Sequence, residues 1–141
     1  MSEGTGACIE RRILVIDDER DIATIIEKYL SRKGFVVTAY VDPELALAHF
    51  SIEQQEYDLV LCDINMPKLN GFAVAHRIKK RNPKTKVVLM TAMLQDEWRR
   101  EKIPDDIDAI IDKPVRLSSL AEQVIIINNV EPTNLLLMPK S

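Results

Sequence analysis

The chain has 141 residues, of which 46% are hydrophobic and 29% charged, and 19 basic against 22 acidic residues give a net charge of −3. This composition excludes a disordered or low-complexity chain, and the length suits one domain with a sizeable core. The slight negative charge gives no support to sequence-independent nucleic-acid binding, which depends on clustered cations. The longest apolar runs have four residues, whereas a membrane-spanning helix needs about 20.

The N-terminal residues lack the basic start and the apolar stretch of a secretory signal. Cys8 and Cys62 are far apart and have no histidine paired with them, so they predict neither a disulfide framework nor a zinc site. We therefore expect a cytoplasmic protein that binds neither membranes nor nucleic acid.

Five short apolar runs alternate with helical patterns along the chain. We predict strands over residues 13–16, 35–40, 57–62, 87–90 and 108–111. Several of these runs are apolar throughout, which is typical of strands covered on both faces of a parallel sheet.

The segments between the strands predict helices. In the first, apolar residues spaced i, i+3, i+4, i+7 and i+8 indicate one buried stripe, and Gly34 ends the helix. The stripe consists of Ile22, Ile25, Ile26, Tyr29 and Leu30. Asp42 is a predicted N-cap before Pro43, which takes the first position of the second helix.

Asn70 and Gly71 begin a predicted third helix that runs to about Lys80. Its buried residues are predicted to be Phe72, Ala75 and Ile78. A more polar fourth helix is predicted over residues 95–103. The fifth is marked by four buried positions, which are Leu117, Leu120, Val124 and Ile127. Strands that alternate with helices predict an α/β fold: a parallel five-stranded sheet with right-handed crossovers and helices on both faces.

In such sheets the functional site lies beyond the carboxyl ends of the strands. Polar residues follow four of the predicted strands here: Asp17, Asp18 and Glu19 after the first, Asp63 after the third, Thr91 after the fourth, and Lys113 with Pro114 after the fifth. The predicted topology therefore brings carboxylates, a hydroxyl and an ammonium to one edge.

Two carboxylates about 4 Å apart repel each other by about 4 kcal/mol at an effective dielectric of 20. Such a cluster is costly unless a cation lies in it, and a few hard oxygen ligands suit Mg²⁺. Mg²⁺ beside a lysine and a hydroxyl is the arrangement that phosphoryl transfer requires, with one carboxylate as the nucleophile.

Taken in chain order, these motifs resemble the receiver domain of two-component response regulators, in its stand-alone, chemotaxis-regulator-like form. The motifs are Asp17-Asp18, Asp63 with Met66-Pro67 and Asn70-Gly71 behind it, Thr91-Ala92, and Lys113-Pro114. The resemblance covers residues 12–129, which leaves residues 1–11 as an N-terminal extension and residues 130–141 as a C-terminal tail. It implies a flavodoxin-like, doubly wound sheet with strand order 2-1-3-4-5.

The same resemblance implies a role for each residue. Asp63 accepts a phosphoryl group from a histidine kinase or phosphotransfer protein, and the phosphorylated form alters protein–protein contacts. The implied Mg²⁺ ligands are Asp17, Asp18, Asp63 and the backbone carbonyl of Asn65. Thr91 reaches a phosphate oxygen when the domain switches, and Lys113 pairs with the acyl phosphate. Such a protein is not an enzyme with a separate substrate, although it assists its own phosphorylation and dephosphorylation.

One position departs from the family pattern. Relatives usually carry Tyr or Phe three residues before the lysine, and this ring turns inward when the threonine moves. Here the switch position is Ile110, which can change rotamer and repack but has no ring to turn.

Each motif also has a simpler structural interpretation when it is taken alone. Acids such as Asp17 and Asp18 suit a helix N-terminus, where each contributes about 0.3–1 kcal/mol. Asp63 and Lys113 suit turns, and Thr91 suits an ordinary strand end.

Two other functions stay open. An aspartate-nucleophile phosphatase of the haloacid-dehalogenase type carries D-x-D at the end of its first strand, whereas Asp17 and Asp18 are adjacent and Asp63-Ile64-Asn65 lacks a second acid. A receiver-like scaffold that never turns over phosphate is the second alternative, and Ile110 keeps it open.

Three further residue types bear on partners. His49 and His76 are predicted at the surface, so a phosphohistidine donor is expected on another protein. Cys62 is predicted in the core because it faces away from its neighbour Asp63 on the strand. Trp98, on the predicted fourth helix, suits a partner surface and a core position equally.

The predicted fifth helix is apolar around more than half of its circumference, and a second apolar run follows it, formed by Leu135, Leu136, Leu137 and Met138. Excess apolar surface of this kind marks interfaces. We therefore expect the face of the predicted fourth helix, fifth strand and fifth helix to bind a downstream target protein or a second copy of the chain.

Overall fold

The structure is a computed structural model that describes residues 11–52, 56–91, 104–113 and 116–129. Within these ranges, parallel strands form one sheet in the order β2-β1-β3-β4-β5. The strands are β1 (Arg12–Ile16), β2 (Val36–Tyr40), β3 (Leu59–Asp63), β4 (Lys86–Thr91) and β5 (Ala109–Asp112). The helices are α1 (Arg20–Arg32), α2 (Pro43–Ile52), α3 (Gly71–Arg81) and α4 (Leu117–Asn129).

The predicted fold class and strand order are confirmed, and α4 is the helix that was predicted as the fifth. The helix predicted over residues 95–103, with Trp98, lies outside the described residues. So do Ala92, Pro114 and the second apolar run, Leu135, Leu136, Leu137 and Met138.

Each face of the sheet carries its own hydrophobic core. Alternate residues of β1, β3 and β4 point to opposite faces, so Leu14, Val60 and Leu89 pack with α2 and α3 while Val15 and Leu61 pack with α1 and α4. The apolar residues of these three central strands are fully buried. β1, β3 and β4 are therefore covered on both faces, as predicted. The edge strands β2 and β5 differ, because their residues are mostly half-buried.

Local hydrogen bonds explain where the helices begin and end. Asp42 Oδ1 accepts a hydrogen bond from the Glu44 N–H at 2.9 Å, and Asn70 Oδ1 accepts one from the Ala73 N–H at 2.9 Å. Gly34 follows α1 with φ of 101°, a conformation that favours glycine. The three boundaries predicted at these residues are confirmed.

The buried face of α1 differs from the predicted stripe. It centres on Ala23, Ile26 and Leu30, whereas Ile25 is 48% exposed. The prediction for Ile25 is wrong because the apolar pattern is wider than the surface that the sheet covers. In α3, Ala75 and Ile78 are buried as predicted, joined by Val74, while Phe72 is half-buried. In α4, Leu120 and Val124 are buried as predicted, Leu117 is half-buried, and the side chain of Ile127 is outside the description.

The histidines and Cys62 have different environments. His76 is exposed and Cys62 is fully buried, as predicted. The prediction for His49 is wrong, because this side chain is half-buried and its Nε2 lies 2.6 Å from the Tyr57 hydroxyl oxygen. The sequence conceals this contact because Tyr57 lies just before β3, outside the helix that carries His49.

Gly71 lies where α3 approaches the end of β3. A Cβ at this position would be 2.7 Å from the Asp63 carbonyl oxygen and 2.9 Å from the Ile64 Cα, both of which are backbone atoms. The Gly71 N–H also donates to the Ile64 carbonyl at 2.9 Å. Glycine therefore allows the first turn of α3 to hold the loop that follows Asp63.

We expect Gly71→Ala to lower the free energy of unfolding by roughly 1–3 kcal/mol, because two backbone segments have to separate to admit the methyl group. Urea denaturation measures this change. Arg77→Ala, at an exposed position of α3, is the control and should change stability by less than about 0.5 kcal/mol. Equal stability of Gly71→Ala and the wild type would contradict the close approach.

Candidate functional site

Three carboxylates converge at the carboxyl ends of β1 and β3. Asp17 and Asp18 directly follow β1, and Asp63 is the last residue of β3. One oxygen from each side chain lies within 4.8 Å of those from the other two. Asp17 and Asp63 are buried, whereas Asp18 is exposed. The cluster therefore has a buried base and one side open to solvent.

Lys113 brings a cation into this cluster from the end of β5. Its Nζ lies 3.1 Å from Asp17 Oδ2, 3.4 Å from Asp63 Oδ2 and 3.5 Å from Glu19 Oε1. Because the ammonium is itself largely buried, these ion pairs are screened less than surface pairs. The predicted juxtaposition of the acids with the lysine is thus present in the structure.

Backbone hydrogen bonds between neighbouring strand ends hold the site residues in place. The Lys113 N–H donates to the Thr91 carbonyl at 2.9 Å, and the Asp17 N–H donates to the Tyr40 carbonyl at 3.1 Å. Residues that are distant in the chain therefore share one rigid edge of the sheet.

The Asp17 carboxylate is not a helix cap. Its Oδ1 accepts a hydrogen bond from the Glu19 N–H at 2.9 Å, before α1 begins, and the Glu19 side chain makes no capping bond. Asp17 Oδ2 is buried and makes no aligned hydrogen bond within the described residues, although Lys113 Nζ lies at ion-pair distance. This oxygen has one cationic neighbour, Lys113, and can accept a second cation.

The electrostatics of the cluster differ from those of exposed acids. Burial raises the pKa of Asp63 from 3.8 to about 6, a rise that Lys113 opposes and that the charges of Asp17 and Asp18 increase. Burial by itself lowers the pKa of Lys113, but the Asp17 and Asp63 carboxylates outweigh it and raise that pKa above 10.5. The charged lysine partly compensates the acids, and a residual repulsion remains.

The donor set fits a hard divalent cation. Three carboxylates offer oxygens close together, and Asp17 Oδ2 has capacity for another partner. Mg²⁺ is typically bound by one or two carboxylates and several waters, for which the exposed side at Asp18 leaves room.

The other predicted site residues surround this cluster. Thr91 is fully buried at the end of β4, and Asn65 is exposed in the loop that follows Asp63. Ile110 pairs in register with Leu89 and is half-buried against the core on the α2–α3 side. Glu19 was named with the polar residues that follow the first strand but was given no role, and the structure places it in contact with Lys113.

Comparison with known proteins agrees with this geometry. The family model of the response regulator receiver domain matches residues 13–125. The chain is 28% identical over 113 residues to the transcriptional regulatory protein RprY of Bacteroides fragilis, an alignment that covers 80% of this chain and 47% of RprY. The chain thus spans about half the length of the curated relatives that it matches.

Solved structures have the same fold. A CheY-like receiver domain protein from Methanospirillum hungatei is 26% identical with a TM-score of 0.74, over 83% of this chain and 92% of that one. The response regulator TrrA from Thermotoga maritima, in complex with Mg²⁺-BeF, is 31% identical with a TM-score of 0.70, over 83% and 98% of the two chains. Among the described helices, none has the length and apolarity that crossing a membrane would need.

The raised pKa of Asp63 has a consequence for stability. Its folded-state value of about 6 exceeds the ordinary 3.8, so the folded chain holds this proton more tightly than the unfolded chain does. Asp63 therefore costs stability increasingly as pH rises from about 4 to 6, and the full cost persists above that range. In metal-free buffer, we expect Asp63→Asn to raise the free energy of unfolding on the order of 1 kcal/mol at pH 7.5, and by much less at pH 4.5.

Thermal denaturation in a chelator across this pH range measures the difference. Asp42→Asn makes the same chemical change with the opposite expectation, because the Lys68 ammonium at 2.9 Å lowers the pKa of Asp42. That variant should be slightly less stable than the wild type at pH 7.5. A loss of stability in Asp63→Asn at pH 7.5 would show that the acid cluster stabilises the fold instead.

Proposed function

The chain belongs to the response regulator receiver domain family, and on this premise we propose that Asp63 accepts a phosphoryl group from a phosphohistidine of another protein. The observation that carries the proposal is the position of Lys113, 3.1 Å from Asp17 and 3.4 Å from Asp63. A carboxylate nucleophile with an ammonium and two further acids beside it provides the groups that phosphoryl transfer needs.

In this step an oxygen of the Asp63 carboxylate forms a bond to phosphorus while the bond from phosphorus to the histidine nitrogen breaks. The imidazole leaves with the electron pair of that bond and takes a proton from solvent, and an acyl phosphate remains on Asp63. Lys113 acts in this step by placing a fixed positive charge beside the transferred oxygens.

We propose Mg²⁺ as the cofactor, held by Asp17, Asp18, Asp63 and the backbone carbonyl of Asn65. When bound, Mg²⁺ supplies charge neutralisation to the phosphoryl oxygens. The buried oxygen of Asp17 that lacks an aligned hydrogen bond supports this assignment, as does the Mg²⁺-BeF complex of TrrA.

The proposed switch then links Asp63 to the neighbouring strands. Thr91 is assigned the contact with a phosphate oxygen, since it is buried at the adjacent strand end. Ile110 is assigned the switch position, which it serves by repacking against the core that it already contacts. Its place in register with Leu89, two residues before Thr91, supports the coupling.

Partners follow from this chemistry. A histidine kinase or phosphotransfer protein supplies the phosphoryl group, and the phosphorylated form binds a target protein or a second copy through the face that includes β5 and α4. Exposed Ile125 on α4 supports an interface there. The matched relatives are about twice as long as this chain. The proposal therefore covers the receiver function alone, in which the group that becomes phosphorylated is Asp63 of the chain itself.

Incubation with acetyl phosphate and Mg²⁺, followed by intact-protein mass spectrometry, tests the proposal. We expect the wild type to gain the mass of one phosphoryl group and Asp63→Asn to gain none. Asp42→Asn, an acid variant outside the cluster, should gain it like the wild type. Absence of any gain in the wild type would instead identify a non-switching scaffold, for which Ile110 is the supporting feature. Continuous phosphate release from added phosphate esters would identify a phosphatase.

Lys113→Met separates cation binding from transfer. Removing the ammonium leaves the acids less compensated, so we expect Mg²⁺ to bind several-fold more tightly by calorimetry. Phosphorylation by acetyl phosphate should be at least about tenfold slower at saturating Mg²⁺, because the charge beside the transferred oxygens is lost. Lys68→Met, which removes an exposed lysine paired with Asp42, is the matched control and should change neither quantity. Weaker Mg²⁺ binding in Lys113→Met would contradict this division of roles.

A further inference from the structure

Helix α2 is apolar on both of its sides. Its buried face contributes Pro43, Ala46, Leu47 and Phe50 to the core. Its opposite face carries Leu45, which is 59% exposed, exposed Ala48, and Ile52, which is 80% exposed. Spacings of i, i+3 and i+7 place these three residues in one stripe. The core does not require this second stripe, because the first already faces the sheet.

Cations of α3 lie beside this stripe. The Arg81 guanidinium donates a hydrogen bond to the carbonyl oxygen of Ser51, which places Arg81 next to Ile52. Arg77 is one helical turn before Arg81, so both lie on the flank toward α2, and Arg77 is exposed. Lys80 is exposed three positions after Arg77, which makes it a surface neighbour of Arg77 that faces outward at the edge of this flank. We call the set Leu45, Ala48, Ile52, Arg77, Lys80 and Arg81 the α2–α3 surface.

The two flanks of α3 differ in how their cations are compensated. On the flank away from α2, the cation is Lys79, and its Nζ lies 2.7 Å from Asp108 Oδ2. The His76 Nδ1 on the same flank lies 3.3 Å from Asp106 Oδ2. Within the described residues, Arg77 and Lys80 form no such pair. Basic residues near a helix C-terminus interact favourably with the helix dipole, but this effect explains neither the unpaired flank nor the exposed stripe beside it.

We propose that the α2–α3 surface binds an acidic amphipathic helix of a partner protein. Apolar side chains of that helix cover Leu45 and Ile52, and its carboxylates pair with Arg77 and Lys80. An apolar centre with an arginine-containing polar rim is the usual composition of a protein interface. A nucleic acid would leave the aliphatic stripe without a partner. Helices that lie in a lipid surface carry Lys or Arg on their own polar face, and α2 carries neither residue. The surface shares no residue with the Asp63 site, so this proposal stands independently of phosphoryl transfer.

The experiment titrates the ¹⁵N-labelled full chain with three synthetic helical peptides and follows backbone amide shifts. The first peptide combines a leucine stripe at i, i+3 and i+7 with glutamates. The second replaces each leucine by serine, and the third replaces each glutamate by glutamine. We expect saturable binding of the first peptide alone, with the largest shifts in α2 and α3.

Matched variants locate the contact. The double variants Leu45→Ser/Ile52→Ser and Arg77→Glu/Lys80→Glu should each weaken binding by about tenfold or more. Ile25→Ser and Lys28→Glu change exposed residues of α1, on the other face of the sheet, and should weaken it less than about twofold. All four variants alter exposed side chains, and unchanged circular dichroism verifies their folding.

Several results would overturn the proposal. These are absence of saturation with the first peptide at millimolar concentration, equal affinity for the serine peptide, shifts confined to other elements, or equal weakening by the α1 variants. Vesicles of anionic lipid and a short DNA duplex are titrated in parallel. Binding of either one that the α2–α3 variants abolish, without peptide binding, would assign the surface to that class of partner instead.

Discussion

The site depends on the ion pairs that the Lys113 ammonium makes with Asp17 and Asp63. Three carboxylates converge at the ends of β1 and β3, and two such charges about 4 Å apart repel each other by about 4 kcal/mol at an effective dielectric of 20. Lys113 offsets part of this repulsion because it contacts Asp17 and Asp63 together. The compensation is incomplete, which leaves Asp63 with a raised pKa and Asp17 with an oxygen that makes no aligned hydrogen bond. A cluster in this state suits a divalent cation.

The fold provides this arrangement through the ends of its parallel strands. The Lys113 N–H donates to the Thr91 carbonyl, and the Asp17 N–H donates to the Tyr40 carbonyl. The register of the strands therefore also fixes the positions of Lys113 and Asp17. Gly71 allows α3 to approach the backbone of Asp63 and Ile64. The sheet, with a buried core on each face, thus holds Asp63 in place.

The molecule also separates two kinds of surface. Acids gather at the carboxyl ends of the strands, whereas the last turn of α3 is basic, as the direction of the helix dipole favours. On one flank of α3 the Lys79 ammonium is paired with Asp108. On the other flank Arg81 donates a hydrogen bond to the Ser51 carbonyl, beside the exposed apolar stripe of α2. The helices on this face therefore present a surface that neither the core nor the Asp63 site uses.

Alternating apolar runs and helical patterns were enough to predict the parallel α/β sheet, the helix boundaries at Gly34, Asp42 and Asn70, and the strand ends that carry Asp17, Asp63 and Lys113. These features follow from local rules of periodicity, capping and turn chemistry, which act over a few residues. Contacts between distant segments could not be predicted in this way. The exposure of Ile25 depends on how much of α1 the sheet covers. The bond of His49 to Tyr57 and the pairing of Lys79 with Asp108 depend on which distant segments meet in the fold. The sequence by itself determined which groups reach the functional edge, and only the tertiary structure decided their burial, partners and pKa, because those properties arise from the low-dielectric surroundings that distant elements create together.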